Sequence, residues 1–144
     1  MHALVLDAPG ALESGVLHPA EIADPRPGPG QVVVQVAACG VCRSNLHMVE
    51  GDWVSYWVPA FTPIIPGREV VGREVVGREV VGREVVGRVA EVGSEVDWLS
   101  AGDRVGVQPL WSTCGHCSYW RTGRDQLCPT KQITGESVDG GYAQ

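Results

Sequence analysis

What most limits the folds open to this chain is how often it is interrupted: 19 glycines and 10 prolines are spread through 144 residues. Proline fixes φ and removes a backbone donor, and glycine loses the most conformational freedom on ordering, so long uninterrupted elements are disfavoured. Between the interruptions lie short runs rich in β-branched residues, which suit a half-buried pleated surface. Residues 3–6 and 16–22 read as strands, with Ala8-Pro9-Gly10 as the turn between them, and residues 31–38 read as a buried third strand. Asp24-Pro25-Arg26-Pro27-Gly28-Pro29-Gly30 reads as a loop, because its three prolines would break a central ladder. A short helix is expected from about Ser44 towards Trp53. Residues 92–107 read as strand, turn and strand, with Gly102 relieving a positive φ and Asp103 bonding nearby backbone. The expected class is a single, mainly β domain with short helices.

One segment fits no regular element. Gly67-Arg68-Glu69-Val70-Val71 is followed by three identical copies that begin at Gly72, Gly77 and Gly82. With a period of five, each copy in a strand reverses the faces of the one before, and each copy in a helix is rotated by about 140°. Repeat architectures use periods of about 20 residues or more. The segment therefore reads as a tandem expansion, an insertion at about residues 67–86 that is looped out of the fold. The alternative is a functional β-array.

Eleven basic against 17 acidic residues give a net charge of −6, which weighs against nucleic acid or an anionic membrane as partner, since both need a clustered positive field. No apolar run reaches the ~18 residues of a membrane span, and the first residues lack the basic start of a signal peptide. A cytoplasmic location is expected. Four of the five cysteines form two C-x-x-C pairs, which suits metal or redox chemistry in a reducing compartment better than a disulfide framework.

The first pair sits in Cys39-Gly40-Val41-Cys42-Arg43-Ser44-Asn45-Leu46-His47, directly after the third strand, where loops carry chemistry. Thiolate and imidazole are the ligands zinc prefers, and a catalytic zinc uses three protein groups plus an open position, so Cys42 is a candidate ligand. The plainer reading is a pair of buried, inert thiols beside a surface histidine. Downstream, Trp53, Tyr56, Trp57 and Phe61 either line an apolar pocket or serve as packing.

The stretch resembles the zinc-dependent alcohol dehydrogenases of the medium-chain dehydrogenase/reductase superfamily, which carry C-G-x-C-x-[ST]-[DN]-x-H after an early strand. The resemblance implies a GroES-like, partly open β-barrel with short helices and a cysteine-rich lobe, occupying residues 1–144. It implies that Cys42 binds a catalytic zinc, that Ser44 and His47 relay the alcohol proton, and that Arg43 contacts a cofactor phosphate. The complete enzyme would oxidise a small-molecule alcohol to an aldehyde or ketone, with hydride transfer to NAD or NADP, and an oligomer is compatible with the resemblance. At the family's G-H-E motif, where the histidine is a zinc ligand and the glutamate sits beside the metal, this chain has Gly67-Arg68-Glu69. Arginine stays protonated, offers no lone pair and repels a divalent cation. All four copies carry it. Asn45 stands where many relatives have an aspartate that orients the missing histidine.

Residues 111–130 resemble the family's structural-zinc lobe, C-x-x-C-x-x-C-x(7)-C. Cys114, Cys117 and Cys128 match, while Trp120 occupies the third cysteine position and its indole has no lone pair for a metal. His116 is an alternative fourth donor, although it adjoins Cys117. A ribbon built from both C-x-x-C pairs would need Cys39 and Cys114 to converge, and a thioredoxin-like role lacks the βαβ setting. Asp139-Gly140-Gly141-Tyr142-Ala143-Gln144 matches the family's D-G-G-Y-A-[EQ], which shortly precedes its nucleotide-binding domain. No G-x-G-x-x-G occurs here, so that domain is expected to be absent from these residues. The competing expectation is a non-catalytic, degenerate module that binds a metal or a partner.

Overall fold

A computed structural model describes residues 1–67 and 85–143. Among the described residues, seven short strands form three open antiparallel sheets. The chain is mainly β with short helices, as its punctuation requires.

β1 (His2–Leu6) pairs with β2 (Leu17–Glu21), Ala3 lying opposite Ala20. Their connection is longer than the Ala8-Pro9-Gly10 turn expected from the sequence. It holds a one-turn 3-10 helix at Leu12–Ser14, and Gly10 is tied to Val49 by a 2.8 Å backbone hydrogen bond. β3 (Val32–Cys39), β4 (Val85–Val92) and β5 (Arg104–Val107) form the largest sheet, with β4 in the middle. The alternation of β3 turns Val32 and Val34 inward against Val89 and Val105. Two register shifts, at Val33/Val34 and Val36/Ala38, bend the strand before it reaches Cys39, as bulges do next to sites. Between β4 and β5, Gly102 has φ 94° and the Asp103 carboxylate accepts the Ser100 amide at 2.8 Å, matching the turn chemistry read from the sequence. β6 (Leu110–Ser112) and β7 (Gln132–Ile133) close the base of the cysteine-rich lobe.

α1 (Arg43–Glu50) is shorter than expected, because Gly51 adopts a left-handed φ of 89° and ends it. Its inward face, Asn45, Met48 and Val49, follows the i, i+3, i+4 spacing of one helical stripe. Met48 and Val49 pack with Leu6 and Ile64, each 2% exposed or less. Burying such a side chain contributes about 1.5–3 kcal/mol, so this cluster fixes α1 to β1.

The repeat is described only at its margins. Glu69, Arg68 and the rest of residues 68–84, on which the looped-out reading and the role of Glu69 fall, lie outside the described residues. At one margin Gly67, with φ 101°, is clasped by the last described segment of the chain. Gly140 donates to Ile65 O at 2.7 Å, Gly141 to Gly67 O at 3.0 Å and Tyr142 to Pro66 O at 3.1 Å. The Asp139 carboxylate accepts the Ile65 amide at 3.0 Å. The backbones approach so closely that a Cβ on Gly140 would lie 2.1 Å from Gly67 O. At the other margin the last copy's valines open β4, Val85 opposite Cys39 and Val86 opposite Ala38.

Two candidate metal centres

The first centre forms where the bent end of β3 turns into α1. Cys42 is the N-cap, in extended backbone (φ −105°, ψ 161°), so the strand-to-helix junction sets its direction. Its thiol donates to Asn45 Oδ1 at 3.2 Å, and Asn45 Nδ2 donates to the Tyr142 hydroxyl at 2.6 Å. Asn45 is 2% exposed, and both ends of its amide are used. Burial pushes the Tyr142 phenol up, against the Asn45 hydrogen bond that pulls it down. Cys39 donates to its neighbour's carbonyl, Gly40 O, at 3.6 Å.

On the more exposed side of α1, Arg43 Nε donates to His47 Nε2 at 3.3 Å, across the i, i+4 spacing. His47 Nδ1 is hydrogen-bonded to the Asp52 carboxylate, and the ring lies 5.6 Å from that of Trp53 at 31°. A nitrogen that accepts from a guanidinium carries no proton, so the network selects the tautomer with the proton on Nδ1, donated to Asp52. Ser44 is half-buried one turn before His47, and no hydrogen bond joins the two among the described residues. Cys42, Arg43, Ser44 and His47 are thus gathered on one junction, and Glu69 lies outside the described residues.

Sequence reading missed Asp52 and Tyr142. Asp52 is five positions from His47, not a helical neighbour, and comes within reach only because Gly51 turns the chain back. Tyr142 is 97 positions from Asn45. The aromatic group divides: Trp53 packs on the Leu6–Met48 cluster, whereas Trp57 is 85% exposed and faces, with Phe61, a separate recess near Pro9. Beside Cys39 and Asn45 there is instead an aliphatic groove of about 500 Å³, lined by Leu4, Leu12, Leu17, Val36, Leu46 and Tyr142 among others.

The second centre is local. The sulfurs of Cys114, Cys117 and Cys128 all lie within 4.8 Å of one another. Cys117 caps α2 (Ser118–Arg121), and Cys128 follows a 3-10 turn at Asp125–Leu127. Each sulfur accepts one backbone amide: Cys117 N to Cys114 at 3.3 Å, Trp120 N to Cys117 at 3.4 Å and Cys114 N to Cys128 at 3.5 Å. The Cys114 amide and the Thr130 hydroxyl lower the Cys128 thiol to about 6. For Cys117 the Trp120 amide pulls downward, but burial and the two neighbouring thiols outweigh it and the net shift is upward. One proton is thus already weakly held among three thiols. A tetrahedral zinc with sulfurs at about 2.3 Å spaces them by about 3.8 Å, so small side-chain movements bring this donor set onto the ion. His116 Nδ1 lies 2.7 Å from Cys114 O, which it can only address as a donor, and His116 is outside the mutually close set.

No described helix is long and apolar enough to cross a membrane. The alcohol dehydrogenase GroES-like domain family matches residues 28–80 and 75–144. Among curated proteins, an alcohol dehydrogenase of Geobacillus stearothermophilus is 41% identical over 86% of this chain and 32% of its own length. A probable alcohol dehydrogenase of Mycobacterium tuberculosis is 41% identical over the whole of this chain and 38% of its own. The cobalt- and zinc-bound thermostable alcohol dehydrogenase from Pyrobaculum aerophilum superposes with a TM-score of 0.77 at 34% identity, covering 99% of this chain and 37% of that one. The chain therefore spans about a third of the length of the curated relatives it matches. Over that span it belongs to the GroES-like domain family of zinc-dependent alcohol dehydrogenases.

Proposed function

We propose that this chain is the N-terminal, GroES-like catalytic domain of a zinc-dependent alcohol dehydrogenase, oxidising an alcohol to an aldehyde or ketone with NAD or NADP in the complete enzyme. The observation that carries this reading is the junction from Cys39 to His47, which places a half-buried thiol, a hydroxyl and a tautomer-fixed imidazole at one strand-to-helix turn of a family-matched domain. Cys42 would be one ligand of a catalytic zinc, which would supply a Lewis acid for the alcohol oxygen, while a nicotinamide cofactor would take the hydride. Ser44 and His47 carry the proton away. Asp52 holds Nδ1–H and leaves Nε2 as the base, provided Arg43 withdraws to a cofactor phosphate, which its remaining N–H groups suit. By the family resemblance Glu69 is the counterpart of the glutamate that sits beside the metal.

Cys114, Cys117 and Cys128 form the structural-zinc type of site. The domain occupies residues 1–144, with an insertion at about 67–86 and the lobe at 111–130. The two overlapping family matches meet at residues 75–80, inside the repeat, which supports reading the extra copies as inserted. The partner is a small alcohol or aldehyde, the location the cytoplasm, and an oligomer is compatible with the reading.

Arginine at position 68 and at the matching position of every copy favours a second reading, a non-catalytic β-domain that keeps only the lobe's metal. The protein expressed from its complete gene separates the two. Ethanol or benzyl alcohol oxidation with NAD or NADP, lost in Cys42→Ser, supports the enzyme. Retention of lobe zinc without turnover supports the second reading. The 144 residues alone are expected not to turn over alcohol.

A further inference from the structure

The lobe's donor set is one short of a tetrahedron. Cys114, Cys117 and Cys128 converge within 4.8 Å, and no histidine or carboxylate among the described residues joins them. Trp120, at the position from which a fourth cysteine would come, sends its backbone amide to Cys117 Sγ and has no lone pair to offer. His116 donates Nδ1–H to the Cys114 carbonyl, and neither of its ring nitrogens joins the close set of sulfurs. Thr130 Oγ1 is 3.6 Å from Cys128 Sγ, but a neutral hydroxyl is a weak competitor for a zinc that already carries thiolates. The three sulfurs are not equally covered. Cys128 is 1% exposed, whereas Cys114 and Cys117 are half-buried and flanked by exposed Gly115, His116 and Trp120. The better-exposed side of the donor set is thus that of Cys114 and Cys117.

We propose that a zinc ion held by Cys114, Cys117 and Cys128 keeps its fourth coordination position open and takes a small thiol there as a thiolate. The inference rests on reading the lobe as a metal site. Three protein ligands and one exchangeable position is the arrangement of reactive rather than closed zinc sites. Thiolate suits it better than carboxylate because three sulfur donors already make the ion soft. In the exchange the incoming thiol loses its proton to buffer, its sulfur lone pair forms the new bond to zinc, and a bound water leaves.

Cobalt(II) replaces zinc as a visible probe, in the 144-residue chain, without oxygen and with a phosphine reductant. Addition of 2-mercaptoethanol is expected to shift the d–d bands and strengthen the sulfur-to-cobalt charge-transfer band, saturating in the millimolar range. Trp120→Cys is expected to show the four-sulfur spectrum from the start and no response to thiol, and His116→Ala to behave as the parent does. A parent spectrum indifferent to thiol overturns the proposal, as does a thiol-free spectrum that changes in His116→Ala, which would place imidazole in the fourth position. Cobalt bands in Trp120→Cys but not in the parent overturn it too, since three sulfurs then do not hold the ion. Bands in neither protein remove the metal-site reading itself.

Discussion

In the lobe, three sulfurs that meet within 4.8 Å come from positions at most 14 apart, and each is held by an amide of the same loop. Around Cys42 the supports come from afar. Asn45 is fixed by Tyr142, 97 positions away, and the Pro66-Gly67 backbone that leads on to Glu69 is clasped by Gly140, Gly141 and Tyr142. A locally encoded donor set tolerates a change such as Trp120 by losing one ligand and keeping the rest. A set assembled across the fold loses its geometry when any contributing segment is disturbed, and the repeat begins at Gly67, inside the clasp.

The comparison breaks most visibly at Gly140. Gly140→Ala would place a Cβ 2.1 Å from Gly67 O and 2.7 Å from Pro66 O, both backbone atoms with little freedom to yield. The expected cost is at least about 3 kcal/mol in urea unfolding. Below the unfolding range, alkylation should accelerate at Cys42 while zinc still protects the lobe thiols. Equal loss of protection in both regions would show that the lobe also depends on the clasp.

Deleting three of the four Gly-Arg-Glu-Val-Val copies sharpens the same contrast. Fifteen extra residues closed as a loop cost about 2–3 kcal/mol by the logarithmic length law, so the deletion should stabilise the domain by one to about 3 kcal/mol. Keeping every copy in one continuous, regular strand would turn the following faces inside out, since 15 is odd. An unchanged or lower urea midpoint would mean that the copies pack into the fold.

Asn45→Ala removes the acceptor of the Cys42 thiol and the donor to the half-buried Tyr142 hydroxyl. A loss of about 1–2 kcal/mol is expected, with lobe metal content unchanged. No loss of stability would mean that the Asn45–Tyr142 link does not hold the first centre.

The smallest effect is a pH dependence confined to the metal-free lobe. The folded Cys128 thiol, at about 6, lies below its ordinary value of 9.0, so its thiolate stabilises the fold above the unfolded value and that contribution is lost as pH falls through about 6. The melting temperature of the metal-free chain should therefore rise between pH 6 and 9. Cys117, shifted the other way, works against this at the alkaline end. Cys128→Ser should flatten the rise, and a parent curve already flat would contradict the Cys114 amide as its cause.

The legible parts of the molecule are those that local chemistry decides. Gly102 and Asp103 announced their turn, the valines of residues 31–38 their strand, although only Val32 and Val34 of it are buried, and the spacing of Cys114, Cys117 and Cys128 their convergence. The sequence was silent where tertiary contacts decide. Leu12–Ser14 became a helical turn because Gly10 is drawn to Val49, and α1 stopped at Gly51 instead of running towards Trp53. Asp52 reaches His47 only through that left-handed turn. Asp139-Gly140-Gly141-Tyr142 read as a family signature, yet nothing in its composition showed that it clasps Ile65, Pro66 and Gly67 and anchors Asn45.

The most direct test of local against distributed encoding is the metal content per chain of the 144-residue protein, read by mass spectrometry under native conditions after zinc loading. One zinc per chain is predicted, retained in Cys42→Ser and lost in Cys128→Ser. Zinc lost with Cys42 or retained without Cys128 would contradict it.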